Sequence, residues 1–242
     1  MTRLGGGGPQ SLKRFYREAS VEARDGAFVI LLDGKPAKTP KRAPLAAPTE
    51  ALAEAVAAEW RDAGEAIGRD DLRLTRLVAT AIDLGPDESP QWREDVVRYA
   101  GFDLLCYRAA DPQSLVARQT AAWDPFLAFA REDLGAPFVA TTGVVATAQP
   151  ALAIDAIRRA TAVLDPWRML GLKTAAEITG SAILAFALER GFAPSADIFA
   201  AARVDEKHQI ERWGRDAEAE ARAERLAGDF AAAALFLRCV GY

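Results

Sequence analysis

The chain has 242 residues, half of them apolar, and a formal net charge of −4 at neutral pH. This much apolar sequence can bury a sizeable core in one or two domains. The charge is small and mixed in sign, and no basic cluster is interleaved with aromatic residues, which argues against a nucleic-acid ligand.

The first residues predict a leader without a targeting signal. Residues 1–13 are rich in glycine and lack both the apolar core of a secretory signal and the repeated arginines of a transit peptide. We expect a disordered leader here. The expected location is a bacterial cytoplasm, or a mitochondrial matrix if a presequence has been removed.

Residues 14–47 predict a small antiparallel β domain. Asp25-Gly26 and Asp33-Gly34 are turn dipeptides that tolerate positive φ, and the apolar run between them predicts a central strand. Three strands with one apolar face are stable only when another element covers that face. We therefore expect another part of the chain to cover this face, and the sequence leaves open which part does so.

Residues 48–242 predict a helical domain, so the fold class is α+β with a body of about seven helices. The predicted helices cover about residues 49–64, 73–84, 89–108, 111–134, 150–164, 167–190 and 195–239, the last as one helix or a pair. Gly85-Pro86 is expected to end the second helix, and Pro125 to kink or divide the fourth. The longest apolar run, residues 178–188, is too short to span a bilayer and predicts a buried helix.

The inventory of reactive side chains argues against most enzyme classes. His208 is the single histidine, so a site with several histidine ligands is impossible and a Ser-His-Asp triad would have to use it. Between Lys207 and Gln209 on a charged helix, His208 is expected to be solvated. Phosphate-binding glycine loops are absent, and no cofactor or metal is expected. Cys106 and Cys239 are interpreted as buried, reduced thiols.

An acidic pair near the C-terminus carries the most information. If this segment is one helix, Glu206 lies in an otherwise apolar stripe close to Trp213. A carboxylate in such a stripe is costly to bury unpaired. Two interpretations stay open: an ion pair with Arg203 three residues earlier, or a recognition surface for another protein formed by Asp205 and Glu206 with Gln209 and Trp213.

Other acidic side chains support a competing hypothesis. Asp103 can cap a helix or pair with an arginine such as Arg98, and Asp124 can accept amides freed by the proline that follows it. A hydrolase or small-molecule enzyme would instead require Asp103, Asp124 and Glu206 to converge in one pocket with raised pKa values. A general holdase for exposed apolar surface is a third possibility.

Several short blocks occur in order over residues 14–240. They are Arg14-Phe15-Tyr16, Leu32-Asp33-Gly34-Lys35, Lys38-Thr39-Pro40, Glu59-Trp60, Thr80-Ala81-Ile82-Asp83, Asp103-Leu104-Leu105-Cys106-Tyr107, Gln119 with Trp123-Asp124-Pro125, and residues 203–214. With these blocks the chain resembles the assembly chaperones that act on the α subunit of the ATP synthase catalytic head. His208 departs from the family pattern, which has an aromatic residue at that position.

The resemblance implies a non-enzymatic protein that binds the newly made α subunit. It would cover the surface that later packs against the β subunit, until the α/β hexamer forms. No nucleic acid or membrane insertion is implied, and the modest charge without heptads favours a monomer. The implied partner-binding residues are first Glu206, then Asp205, Arg203, Gln209 and Trp213, and more weakly Asp103, Trp123 and Asp124.

Overall fold

The computed structural model describes residues 12–143, 147–214 and 216–241. By packing, the chain divides into two compact units, Met1–Asp83 and Leu84–Tyr242. The first combines short strands with helix, and the second is mainly helical, which confirms the α+β class. The predicted domain boundaries, 14–47 and 48–242, stay a prediction. Of the predicted leader, Leu12 and Lys13 form a short strand, and residues 1–11 lie outside the described part.

The N-terminal unit is built on an antiparallel sheet. Its strands and those beside it are β1 (Leu12–Lys13), β2 (Ala19–Arg24), β3 (Ala27–Leu32), β4 (Lys35–Pro36), β5 (Ala46–Ala47) and β6 (Ala66–Ile67). β3 pairs with β2, β4 and β5, and β1 pairs with β6. Asp25 and Gly26 have φ of 50° and 79°, and Asp33 and Gly34 have 48° and 74°. Both predicted Asp-Gly hairpins are therefore confirmed.

The helix α1 (Glu50–Asp62) packs on this sheet and is the cover that the sequence left unidentified. Thr49 caps it by accepting a hydrogen bond from the Leu52 amide at 3.2 Å. Leu52, Val56 and Trp60 form its buried face, at 0%, 0% and 8% exposure. This face removes the apolar side of β3 from water and provides the cover that three short strands need.

The helix α2 (Arg73–Gly101) runs through Pro86 and Pro90, so the predicted break at Gly85-Pro86 is wrong. Each proline removes one helical hydrogen bond, yet the turns after them bury Trp92 and Val96. A Cβ atom on Gly85 would lie 3.2 Å from the Cβ of Pro166. The glycine thus serves close packing, where the sequence indicated a helix end.

Seven further helices follow α2 among the described residues. They are α3 (Gln113–Glu132), α4 (Ala151–Ala162), α5 (Pro166–Thr179), α6 (Ala182–Glu189), α7 (Ser195–Ala202), α8 (Val204–Trp213) and α9 (Ala217–Val240). The predicted segment 167–190 divides at Gly180, and the segment 195–239 divides at Arg203 and Gly214. These divisions raise the number above the predicted seven. Pro125 lies inside α3 without ending it.

The core of the second unit surrounds α6. Every residue of α6 is buried, and the helix contacts α3, α5, α7 and α9. This confirms the predicted buried helix. The short strand β7 (Tyr107–Arg108) pairs in parallel with β8 (Thr141–Thr142). Across the described ranges, no helix combines the length and apolarity that a membrane crossing requires.

Candidate functional site

The buried side chain of Gln119 connects α8 to α3. Its Nε2 donates to Asp205 Oδ1 at 2.7 Å, and its Oε1 accepts from the Ala109 amide at 2.8 Å. A second bridge joins Arg118 Nη1 to Glu211 Oε2 at 2.5 Å, between partly exposed side chains. Because the Gln119 amide is 2% exposed and satisfied on both sides, it sets the position of α8 more firmly than the surface ion pair does.

Trp123 fixes the end of α7 from inside the protein. Its indole N–H donates to the Ala201 carbonyl at 2.8 Å, and the ring is fully buried. The Arg108 guanidinium lies 5.1 Å from the ring centroid and also pairs with Asp124 at 2.6 Å. The exposed Asp124 carboxylate therefore orients an arginine that packs on Trp123.

Asp103 is a fully buried helix cap. Its carboxylate accepts hydrogen bonds from Ser181 Oγ at 2.7 Å, the Ile183 amide at 3.0 Å and the Leu105 amide at 3.1 Å. Burial raises the pKa of Asp103 to about 6, although these hydrogen bonds act in the opposite direction. Its side chain ties the turn after α2 to the N-terminus of α6 and offers no surface to a partner.

Cys106 and Cys239 are not joined in a disulfide, which agrees with the predicted reduced thiols. Cys106 is buried, and burial raises the pKa of its thiol to about 12, which makes it unreactive. Cys239 is half-buried, so the prediction of two fully buried thiols holds for the first residue alone.

Glu206 forms the ion pair with Arg203 that the sequence left open, although Arg203 lies in the turn before α8 and not in the helix. Its Oε1 lies 2.9 Å from Arg203 Nη1, and its side chain is 44% exposed. The predicted apolar stripe around Glu206 is absent, because the chain leaves the helical path at Arg203 and at Gly214, where φ is 91°. Glu206 is thus an accessible, singly paired carboxylate.

The accessible side of α8 carries Glu206, Gln209 and Trp213, which we call the α8 face. Trp213 is 83% exposed, and Gln209 is exposed as well. His208 is 8% exposed, so its predicted solvation is wrong. Neither ring nitrogen of His208 has a hydrogen-bond partner among the described residues. The turn of the helix separates it from its charged neighbours in the sequence.

A groove of about 630 Å³ lies among α3, α7 and α8. Its lining residues are Arg118, Ala121, Ala122, Pro125, Phe126, Asp197, Ala200, Ala201, Val204, Lys207 and Glu211. Apolar side chains dominate, with four charged residues among them. The sequence did not reveal this groove, because it forms where α7 and α8, predicted as one helix, separate and pack on α3.

The three acids of the competing enzyme hypothesis do not come together at this groove. Asp103 accepts the Ile183 amide at the start of α6, Asp124 pairs with Arg108, and Glu206 pairs with Arg203. None of the three lines the groove. In the part of the chain that the structure describes, no group of three His, Cys, Asp or Glu residues is arranged to hold a metal ion. The shared acid site that the hypothesis requires is not formed.

Comparison with known proteins gives a consistent assignment. The family model "ATP12 chaperone protein" matches residues 13–131. A crystal structure from Agrobacterium tumefaciens is 41% identical, with a TM-score of 0.89 over 95% of this chain and 86% of that one. Atp12 from Paracoccus denitrificans is 37% identical, with a TM-score of 0.83 over 94% and 98% of the two chains.

A more distant relative also matches nearly the whole chain. The Schizosaccharomyces pombe protein named "Protein atp12, mitochondrial" is 24% identical over 243 residues, which is 95% of this chain and 84% of the relative. An aspartate-to-lysine variant of the Paracoccus protein also has a solved structure, 36% identical, with a TM-score of 0.85 over 94% of this chain and 97% of that one.

We predict that Gln119→Leu destabilises the second unit by about 1–3 kcal/mol, because it leaves the Ala109 amide and the Asp205 carboxylate without their partner. Urea unfolding measures the loss. Gln113→Leu, at the exposed start of the same helix, is the matched control. Equal unfolding midpoints for the two variants would show that the bridge is unimportant.

The raised pKa of Asp103 predicts that the stability of the folded protein depends on pH. Between its usual value of 3.8 and about 6, the folded state binds the proton more tightly than the unfolded state does. The free energy of unfolding therefore falls as pH rises through this window. Asp103→Asn should remove this contribution, so that its unfolding free energy falls less than that of the wild type between pH 4 and pH 6. Parallel pH profiles of the two proteins would refute the assignment.

Proposed function

The chain belongs to the ATP12 chaperone family, and we propose that its client is the unassembled α subunit of the ATP synthase catalytic head. In this proposal the chaperone covers the α-subunit surface that later packs against the β subunit. It leaves when the α/β hexamer forms.

The physical need for such a chaperone follows from the client. An unassembled subunit exposes a large apolar interface, which promotes aggregation. A chaperone that covers this interface must give way to a larger and better-fitting neighbour. Its affinity should therefore be moderate, with a contact surface smaller than the one that replaces it.

The observation that carries the proposal is the exposed α8 face; none of its three residues lines the groove, which contacts the other side of the same helix. Trp213 is 83% exposed, and tryptophans are frequent at the energetic centres of interfaces. The carboxylate of Glu206 lies on the same helix, and the Gln119–Asp205 bond holds that helix in place. A surface already fixed before binding loses little conformational entropy when the client arrives.

We assign different roles to the residues that the family resemblance implicates. Glu206, Gln209 and Trp213 contact the client directly. Arg203 orients Glu206, and Asp205 anchors the helix through Gln119.

The remaining three act from inside the second unit. Asp103 and Trp123 are fully buried and keep α6 and α7 in position, and Asp124 holds the Arg108 side chain that packs on Trp123. We therefore propose that these residues support the binding surface without touching the client.

The proposal includes no catalytic step and no cofactor. The chaperone acts as a monomer, by binding and release alone. Its location is the cytoplasm of a bacterium, or the mitochondrial matrix if a presequence has been removed.

We predict that Glu206→Lys keeps the fold and weakens capture of the α subunit at least tenfold. The substitution removes one partly exposed ion pair, which contributes at most about 1 kcal/mol to stability. It also reverses the charge on the α8 face. Circular dichroism measures the fold, and a pull-down with purified α subunit measures capture.

Glu177→Lys is the matched control. Glu177 forms an intrahelical pair with Lys173 on α5 and is 43% exposed, close to the 44% of Glu206. Equal capture by the two variants would refute the role of Glu206. An unfolded Glu206→Lys protein would show instead that the carboxylate is structural.

A further inference from the structure

The N-terminal unit contains a second cavity, of about 320 Å³. Its lining residues are Phe15, Tyr16, Leu32, Asp33, Lys35, Pro36, Ala37, Lys38 and Trp60. They come from the segment before β2, from the hairpin between β3 and β4, and from the end of α1. Four of the sequence blocks in the first half of the chain thus supply the walls of one cavity.

The aromatic wall of this cavity is held rigidly. The Tyr16 hydroxyl donates to the Trp60 carbonyl at 2.6 Å, and the two rings meet edge to face at 5.3 Å. Both are buried, at 5% and 8% exposure. Phe15 packs edge to face on Tyr16 at 5.4 Å but is 64% exposed. One large apolar ring therefore lies uncovered beside a preformed apolar wall.

The charge of the lining is positive. Lys35 and Lys38 are exposed, and no carboxylate lies within ion-pair distance of either among the described residues. The one acidic residue, Asp33, already accepts hydrogen bonds from the Arg17 and Glu18 amides, both at 2.9 Å. These amides, and to a smaller extent the positive charges of Arg17 and Lys35, hold the pKa of Asp33 below its usual value. Lys35 already acts on Asp33, but two exposed lysines outnumber this one carboxylate, so the lining as a whole can attract a ligand carboxylate.

We propose that this cavity is a second contact point for the client, which inserts one apolar side chain flanked by a carboxylate. This rests on the proposed chaperone function. The volume is at the lower end for ligand cavities and suits one large side chain. The lysines bind the neighbouring acid and make the contact dependent on salt.

The cavity is better suited to a peptide side chain than to a nucleotide or an added strand. No helix N-terminus or glycine-rich phosphate loop contributes to the lining, so a phosphate would lack its usual backbone donors. The adjacent strand β4 has two residues, and its Pro36 has no N–H to pair with a further strand. Recognition at this site therefore relies on side chains.

The first test combines Lys35→Glu with Lys38→Glu in the full chain. We expect at least tenfold weaker binding of purified α subunit at low salt, and a smaller loss of affinity than the wild type when salt is added. Lys13→Glu, an exposed lysine on β1 outside the lining, is the control and should bind as the wild type does. Circular dichroism verifies that all three proteins are folded.

The second test replaces Phe15 by p-benzoylphenylalanine, which keeps a large ring at the open wall. Illumination should crosslink the α subunit, and mass spectrometry should locate the crosslink at a segment with an apolar residue next to an acid. The same group at Leu12, 52% exposed on β1, should not crosslink. Competition by ATP alone would identify a nucleotide site and overturn the peptide assignment.

The outcomes separate this inference from the proposed function. If the lysine variants bind the α subunit equally, or Phe15 and Leu12 crosslink equally, the cavity contact is refuted while capture through Glu206 stands. If the wild type does not bind the α subunit at all, both proposals fail.

Discussion

The position of α8 depends on the buried amide of Gln119. The helix has ten residues, with Arg203 and Gly214 at its ends. A helix this short is not stable by itself in water, so its position must come from tertiary contacts. Gln119 supplies the buried one, through Asp205, and Arg118 adds a surface ion pair with Glu211. The acidic pair is thereby divided, since Asp205 faces the protein and Glu206 stays accessible.

Polar side chains also position secondary-structure elements elsewhere in the chain. Several carboxylates in the short sequence blocks fix elements in place, by accepting hydrogen bonds from backbone amides. Asp33 binds the amides before β2, Glu59 binds the Leu74 and Thr75 amides that open α2, and Asp103 binds those at α6. Glu206 belongs with Asp124 and Glu211, whose partners are arginine side chains. Because Glu206 accepts no hydrogen bond from the backbone of the described residues, it can exchange Arg203 for a group of the client without disturbing a helix end.

Local chemistry determined the parts of the fold that the sequence predicted well. The Asp-Gly hairpins and the first helix, predicted over about residues 49–64, rest on short-range signals. The sequence failed where packing outweighed such signals. Gly85-Pro86 stays helical because Gly85 packs against Pro166. The helix α7 ends before Arg203, although arginine is not a helix-breaking residue.

The sequence indicated which segment to inspect for a site, residues 203–214, but not which of its side chains are accessible. The block around Glu206 stood out by its charge and its tryptophan. No spacing rule, however, separates the accessible Trp213 from the buried Trp123, or the exposed Gln209 from the buried His208. That distinction arises from the contact of α8 with α3, which joins residues 86 positions apart. The groove among α3, α7 and α8 depends on the same contact between α8 and α3, so the sequence did not reveal it either.

The most direct measurement offers purified α and β subunits to the chain separately and then together. A dedicated chaperone of the α subunit should capture α, leave β in solution, and lose α when β is added and the hexamer forms. Equal capture of both subunits would contradict this account, as would retention of α after the hexamer has assembled.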